Sequence, residues 1–191
     1  RYAFSDYIRF LTDVERPTRV NLRRAVLDAY EKYMTKDPNI RLMYADKHAG
    51  ISNYWKKFLG ERDGLKALKV ADRRKAIEDN FKVWMKAKGK ESTYGDVFTL
   101  FSEVVDSQKK YGLFGVYFQD GLSNSQLIAN ALEMSSEVDS LASKDKAVVQ
   151  RAKDRIAKQS TDVVKGYKEF YAPIERDVFE MAVKMTSEGL D

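Results

Sequence analysis

Apolar residues recur at steps of three and four almost from one end of this chain to the other, and the apolar–polar alternation of a half-buried strand is nearly absent. A period near 3.6 puts those residues on one face of a helix, and a helix with one apolar face has to bury it against others. The pattern therefore predicts an all-α fold, an irregular bundle of about five to seven helices. At 191 residues the chain is long enough for one such domain with a substantial core, and residues 1–191 are read as a single helical domain. No unit repeats at a period of roughly 30–50 residues, which disfavours a solenoid.

The first stripe, Leu22, Ala25, Val26, Ala29, Tyr30 and Tyr33, follows Pro17-Thr18, where a Pro and a hydroxyl side chain favour helix initiation. Asp37-Pro38 announces a second helix, an N-cap acceptor followed by Pro at the first helical position. Its stripe is Ile40, Tyr44, Ile51, Tyr54 and Phe58, with Gly60 as a stop. A third stripe runs through Leu65, Leu68, Val70, Ile77, Phe81, Trp84 and Met85 to a polar linker at 87–92. Ser92-Thr93 can then cap a helix with Val97, Leu100, Phe101, Val104 and Val105 inside. Residues 111–124 carry three Gly and fit a loop, a short strand or a helix junction. The period returns in Leu127, Ile128, Ala131, Val138 and Leu141, and after a turn at 143–145 in Val148, Ala152 and Ile156. The last stripe is Val163, Tyr167, Phe170, Ile174, Val178, Met181 and Met185, which Pro173 should kink.

Hydrophobic residues at 43% and charged residues at 33% describe a packed globular chain and exclude wholesale disorder. No apolar run approaches the ~20 residues of a membrane-spanning helix, so no membrane insertion is expected, and RYAFSDYIRF is not a signal peptide. The sequence opens at Arg1 without a Met and stops at Asp191, from which we expect a piece cut from the middle of a larger protein whose targeting signal lies elsewhere. Without Cys there is no disulfide framework, Cys nucleophile or thiolate metal site.

The chemistry of an independent enzyme is also missing. His48 is the single histidine; Ser52, four residues on, would share its helical face, but no strained nucleophile turn surrounds that Ser and Asp46 lies off the face. A solvated helix position is the simpler reading of His48. Paired Glu-x-x-His motifs are absent, and so are phosphate-cradling Gly-rich loops, so no catalytic residue, no metal and no cofactor is expected. Glu175, Asp177 and Glu180 read as a solvated face. Charge is uneven: residues 1–95 hold 22 Lys+Arg against 13 Asp+Glu, and residues 96–191 hold 12 against 16. Lys56 to Lys90 alone carries 12 cations and five acids, including Arg73-Arg74-Lys75. Such a patch could contact nucleic-acid phosphates, but Phe58, Phe81 and Trp84 fall on the apolar stripe as core, so a solvated face is the default and no nucleic-acid partner is expected.

The segment at 40–60 carries a resemblance. Its Tyr44-Ala45, Lys47, Ala49 and Ser52-Asn53-Tyr54-Trp55-Lys56 pattern resembles the helical domain of the dipeptidyl peptidase seven and dipeptidyl peptidase eleven family, chymotrypsin-like serine exopeptidases of Gram-negative bacteria. Arg1-Tyr2 and Lys36-Asp37-Pro38 agree with that family's flanks. The resemblance implies a secreted or periplasmic parent in which a double β-barrel of the same chain holds a Ser-His-Asp triad and the helical domain covers the active site. It further implies a peptide substrate whose free N-terminal amine is met by the Asn that maps onto Asn53, and it allows a homodimeric parent. Residues that select the substrate's side chain would belong to the barrel, and the piece alone would be inactive.

The residues themselves fit that role for Asn53. At about 100° per residue it lies about 200° around the helix from Ile51, away from the core stripe, with small Ala49 and Gly50 in the preceding turn. Its amide oxygen can accept from an ammonium, and a mid-helix Gly costing roughly 1 kcal/mol suits a surface approached closely, or helix packing. Tyr54 and Trp55 read as packing residues. The competing reading is a stand-alone basic helical module that grips an acidic partner through residues 56–90.

Overall fold

In the computed structural model of the chain, which describes residues 3–166 and 169–190, every regular element is helical. Helix α1 (Ser5–Phe10) passes through a π-turn at Leu11–Glu15 into α2 (Arg16–Met34), followed by α3 (Pro38–Ala67), α4 (Val70–Ala87), α5 (Glu91–Tyr94) and α6 (Val97–Ser107). A second π-turn at Gln108–Gly112 leads into α7 (Leu113–Asp120), a 3-10 turn at Leu122–Asn124, α8 (Gln126–Ser140), α9 (Lys146–Gly166) and α10 (Ala172–Leu190). Among the described residues no strand occurs, and seven of these helices (α2, α3, α4, α6, α8, α9 and α10) have 11 residues or more. The all-α bundle expected from the 3.6 period is the observed fold.

Its centre is the antiparallel pair α2–α3. Asp37 caps α3 by accepting from the Asn39 N–H at 2.8 Å, with Pro38 at the first helical position as the dipeptide predicts. Across the pair, the Tyr30 and Tyr44 rings meet edge to face at 5.1 Å. Val26, Leu27 and Tyr30 of α2, Ile40, Tyr44 and Ile51 of α3, and Ile174 and Val178 of α10 form one buried cluster.

Two carboxylates cap helices from a distance. Glu78 of α4, buried, accepts from the Ser5 N–H at 2.7 Å and the Ser5 hydroxyl at 2.6 Å, satisfying the start of α1. Glu175 of α10, buried, accepts from the Gln126 N–H at 2.8 Å and so caps α8, whose own N-cap residue Ser125 makes no side-chain cap bond. The Tyr44 hydroxyl accepts from the Tyr171 N–H at 3.1 Å and interacts with the Glu175 carboxylate. Burial, then Glu175, pushes the Tyr44 phenol up to about 12. A third buried acid, Asp120 at the end of α7, takes Arg19 and Arg23 of α2, one on each oxygen. Gly121 follows it, and a Cβ there would stand 2.5 Å from the Tyr117 carbonyl oxygen, so the turn requires glycine.

Several boundaries differ from the sequence reading. Pro17 does not start a helix, because the chain is already helical from Ser5 and the π-turn before it, with its wider hydrogen bonding, accommodates a residue lacking an N–H. Gly60 does not stop α3; it lies on the solvent side, and the helix ends instead at Leu68, with Lys69 left-handed at φ 48°. The third stripe therefore splits, Leu65 closing α3 and Val70 opening α4. Ser92-Thr93 lies inside the short α5 and caps nothing. Residues 111–124, left open among loop, strand and junction, are a helix junction. Pro173 sits in the first turn of α10 and does not kink it. Tyr167 of the last stripe, like Arg1-Tyr2, lies outside the described residues. Of the acids read as solvated, Glu180 is exposed, but Glu175 is core, and Asp177 pairs with Lys32 at 2.6 Å and accepts from the Tyr33 hydroxyl at 3.0 Å.

Two measurements check these contacts. Replacing Asp120 by Ala leaves two half-buried guanidinium groups without their carboxylate, and we expect a loss of about 3 kcal/mol in urea unfolding; a loss under about 1 kcal/mol would show that the clamp is not what holds α7. Burial raises the Glu175 carboxyl above its ordinary value near 4.5. It is then protonated in both folded and unfolded states below that value, and its contribution to stability is lost as pH rises through the higher folded value. Glu175→Gln, which keeps an acceptor for Gln126, should therefore gain on wild type as pH is raised from about 4.5 to 7 in the urea midpoint. A difference that stays flat would contradict this.

Candidate functional site

The face of α3 turned away from the α2–α10 core is the surface on which the sequence places Asn53. A 30-residue helix anchored by Ile40, Tyr44, Ile51 and Phe58 on one side leaves the opposite side to solvent over its whole length. Asn53 is exposed, and among the described residues its amide makes no hydrogen bond. Ala49 and Gly50, one turn before it, are exposed as well. A Cβ built on Gly50 would meet nothing within 4 Å, so Gly50 serves no helix–helix contact and the ground beside Asn53 is open.

One flank of this surface is an arginine–aromatic shelf. Arg16, Arg19 and Arg23 rise from α2 at three- and four-residue steps and lie over the Phe58 ring, 5.1, 5.2 and 5.4 Å from its centre. Arg23 also covers Tyr54 at 5.0 Å, and Arg24 covers Trp55 at 5.7 Å. Each cation has an acid: Arg16 pairs with Glu15 and Glu61, both at 2.8 Å, Arg19 with Glu15 at 2.8 Å and with Asp120, Arg23 with Asp120. Burial opposes the Arg19 charge, but hydrogen bonding to Glu15 and the field of Asp120 outweigh it, and its pKa stands above the ordinary value. The shelf is thus stiff and nearly charge-neutral. Tyr54, read from sequence as a packing residue, is exposed, with Arg23 and Lys57 over its ring and Phe58 beside it, whereas Trp55 does pack on the core.

His48 does not pair with Ser52. Its Nε2 lies 3.0 Å from Glu31 Oε1 on α2, and Glu31 is also held by Arg24 at 2.7 Å; hydrogen bonding to His48 and then to Arg24 keeps the Glu31 carboxyl below the usual range. Among the described residues no group of three or more His, Cys, Asp or Glu could hold a metal ion, and no helix is long and apolar enough to cross a membrane. In the basic stretch Phe58 is core, as read, but Trp84 is exposed. Several of its cations are paired, Arg62 with Asp63 at 2.8 Å, Lys66 with Asp13 at 3.6 Å and Lys75 with Asp79. What the sequence reading missed is the burial of Asp120, Glu78 and Glu175, whose only signal was an apolar residue three or four positions away, Val116, Phe81 and Val178 respectively.

What the surface offers chemically is binding: an unengaged amide, open small-residue ground and a rigid shelf. An Asp/Glu-specific dipeptidyl-peptidase of Flavobacterium psychrophilum is 28% identical over 170 residues, 88% of this chain and 23% of that protein. A dipeptidyl-peptidase 7 of Capnocytophaga gingivalis is 29% identical over 173 residues, 88% of this chain and 23% of its own length. The dipeptidyl-peptidase 7 of Porphyromonas gingivalis is 33% identical over 99 residues, 52% of this chain and 14% of that protein. The chain spans about a quarter or less of the relatives it matches. The family model described as Peptidase S46 matches residues 1–191, and the chain belongs to that peptidase family.

Proposed function

We propose that residues 1–191 are the helical cap of a dipeptidyl peptidase, lying over an active site held in a separate catalytic body of the same polypeptide, and that Asn53 receives the free N-terminal amine of the peptide substrate. The reading takes the catalytic body to be a serine-type double β-barrel and the setting to be the periplasm or cell exterior of a Gram-negative bacterium. Membership of the family and the dipeptidyl-peptidase names of the relatives support a peptide substrate. The observation that carries the role of Asn53 is its amide, exposed and without a hydrogen bond, beside a Gly50 whose surroundings are empty to 4 Å. An enzyme that removes dipeptides has to count two residues from a free amine. An acceptor on a rigid helix does so by hydrogen-bonding the ammonium, while the cap excludes longer extensions and, on closing, water.

The test is dipeptide release by the full-length protein and its Asn53→Ala variant, on one peptide with a free and with an acetylated N-terminus. Wild type should cut only the free peptide. A hydrogen bond to a charged group contributes about 1.5–3 kcal/mol, so the variant should lose roughly ten- to a hundredfold in kcat/KM. No dipeptide from wild type would overturn the peptidase reading and favour a basic module gripping an acidic partner through residues 56–90; a variant equal to wild type would remove Asn53 from the site.

A further inference from the structure

Along α1, α4, α5 and α6 the aromatic rings form a ladder that the chain leaves half covered. Phe81 stacks on Trp84 at 5.5 Å and reaches Phe98 at 6.1 Å; Phe98 meets Phe4 edge-on at 5.9 Å, and Phe4 stacks on Phe101 at 3.8 Å. Trp84 and Phe101 are 43% and 40% exposed, and beside Phe101 on α6, Leu100 and Val104, one turn apart, are 58% and 55% exposed. An apolar cleft of about 380 Å³ opens between Phe4, Tyr7, Phe101 and Val104. Of α6, only Val105 is buried although the helix is apolar through most of its length.

Exposed apolar side chains scattered singly, such as Leu42 on α3, need no explanation. A continuous run with a cleft in it does, because soluble proteins seldom leave a large contiguous apolar patch in water unless something binds there. The relatives supply the candidate: the span matched by this chain is about a quarter of their length, so in them a polypeptide roughly three times as large accompanies it. A second copy is a poorer fit. A second cleft beside the first, at Phe98, is lined by Lys75 and Lys82 together with Asp6 and Glu78; Lys75 is paired with Asp79, the Lys82 ammonium stands 4.5 Å above the Phe98 ring, and a two-fold self-contact centred there would bring Lys82 towards its own image.

We infer that the ladder and its cleft are the seat of the catalytic body: an apolar projection of the same polypeptide, from outside residues 1–191, fills the cleft, with an acidic group of that polypeptide facing Lys82 beside it. The inference rests on the cap reading only in taking these residues as one part of a longer chain folded against them, and it names the face that does so.

The test is thiol labelling in the full-length protein. Leu100→Cys and Val104→Cys are placed singly, with any cysteine native to the rest of the polypeptide replaced by serine and folding checked by circular dichroism. Each rate is compared with that of the same variant in denaturant. Helix α6 by itself leaves both positions more than half exposed, so without a cover they should label near the unfolded rate. Covered by the catalytic body, they should label at least tenfold more slowly, at every protein concentration. Rates near the unfolded value would overturn the inference, and so would protection that disappears on dilution, which would assign the face to a second copy. Because labelling needs no turnover, failure of the peptidase reading shows in dipeptide release and leaves this outcome separate.

Discussion

The position of the C-terminal helices depends on one buried polar junction. Tyr44 of α3, Glu175 of α10 and the backbone N–H groups of Gln126 and Tyr171 meet where a hydrocarbon core would otherwise be continuous. A carboxylate taken out of water is costly unless hydrogen bonds replace its hydration, and here they come from the first turn of α8 and from a phenol on α3. Apolar contacts are non-directional and would tolerate sliding of α10 along α2–α3. Misplacing this junction strands a buried acid, so one register is selected over its neighbours. Glu78 at the start of α1 and Asp120 beneath the α2 arginines repeat the device, each fastening a terminus of one helix to the body of another.

This arrangement explains how the sequence could be read correctly in outline and wrongly in detail. Core stripes on α2 and α3 were legible because Leu22, Val26, Tyr30, Ile40, Tyr44 and Ile51 obey a period set by burial, and all six are buried. The cap at Asp37-Pro38 was legible because its chemistry is local. Helix ends decided by distant partners were not. Nothing near Ser125 shows that α8 is capped from α10, nothing in Leu65–Val70 shows that a lysine will take the left-handed turn, and Pro17 looks like a beginning unless the π-turn before it is known. For the same reason Glu175 reads as a solvated acid; its partners lie 49 and more residues away along the chain.

The surface was legible in part. Periodicity alone turns Asn53 outward, and the structure finds it there, exposed beside open ground. It could not show that the aromatics of α4 and α6 lie half in water, since an amphipathic stripe looks the same whether its cover is in this chain or in another piece of polypeptide. Ile77, Trp84, Leu100 and Val104 have the spacing of core residues, and all four are exposed.

Rigidity and incompleteness are thus distributed unevenly, in a way that matters for an anchoring role. An amine-binding amide is useful only if its position is fixed to a fraction of an ångström relative to the scissile bond, because small misplacements are expensive in rate. Asn53 stands on a helix held along its inner face by α2 and α10 and braced on one flank by arginines locked to Asp120, Glu15 and Glu61, so its backbone is fixed with the α2–α3 pair. Incompletely covered packing lies instead on α4 and α6, whose rings are partly exposed. In the cap reading, opening and closing would therefore be a displacement of the helical body against its seat, with the anchor carried as a rigid part.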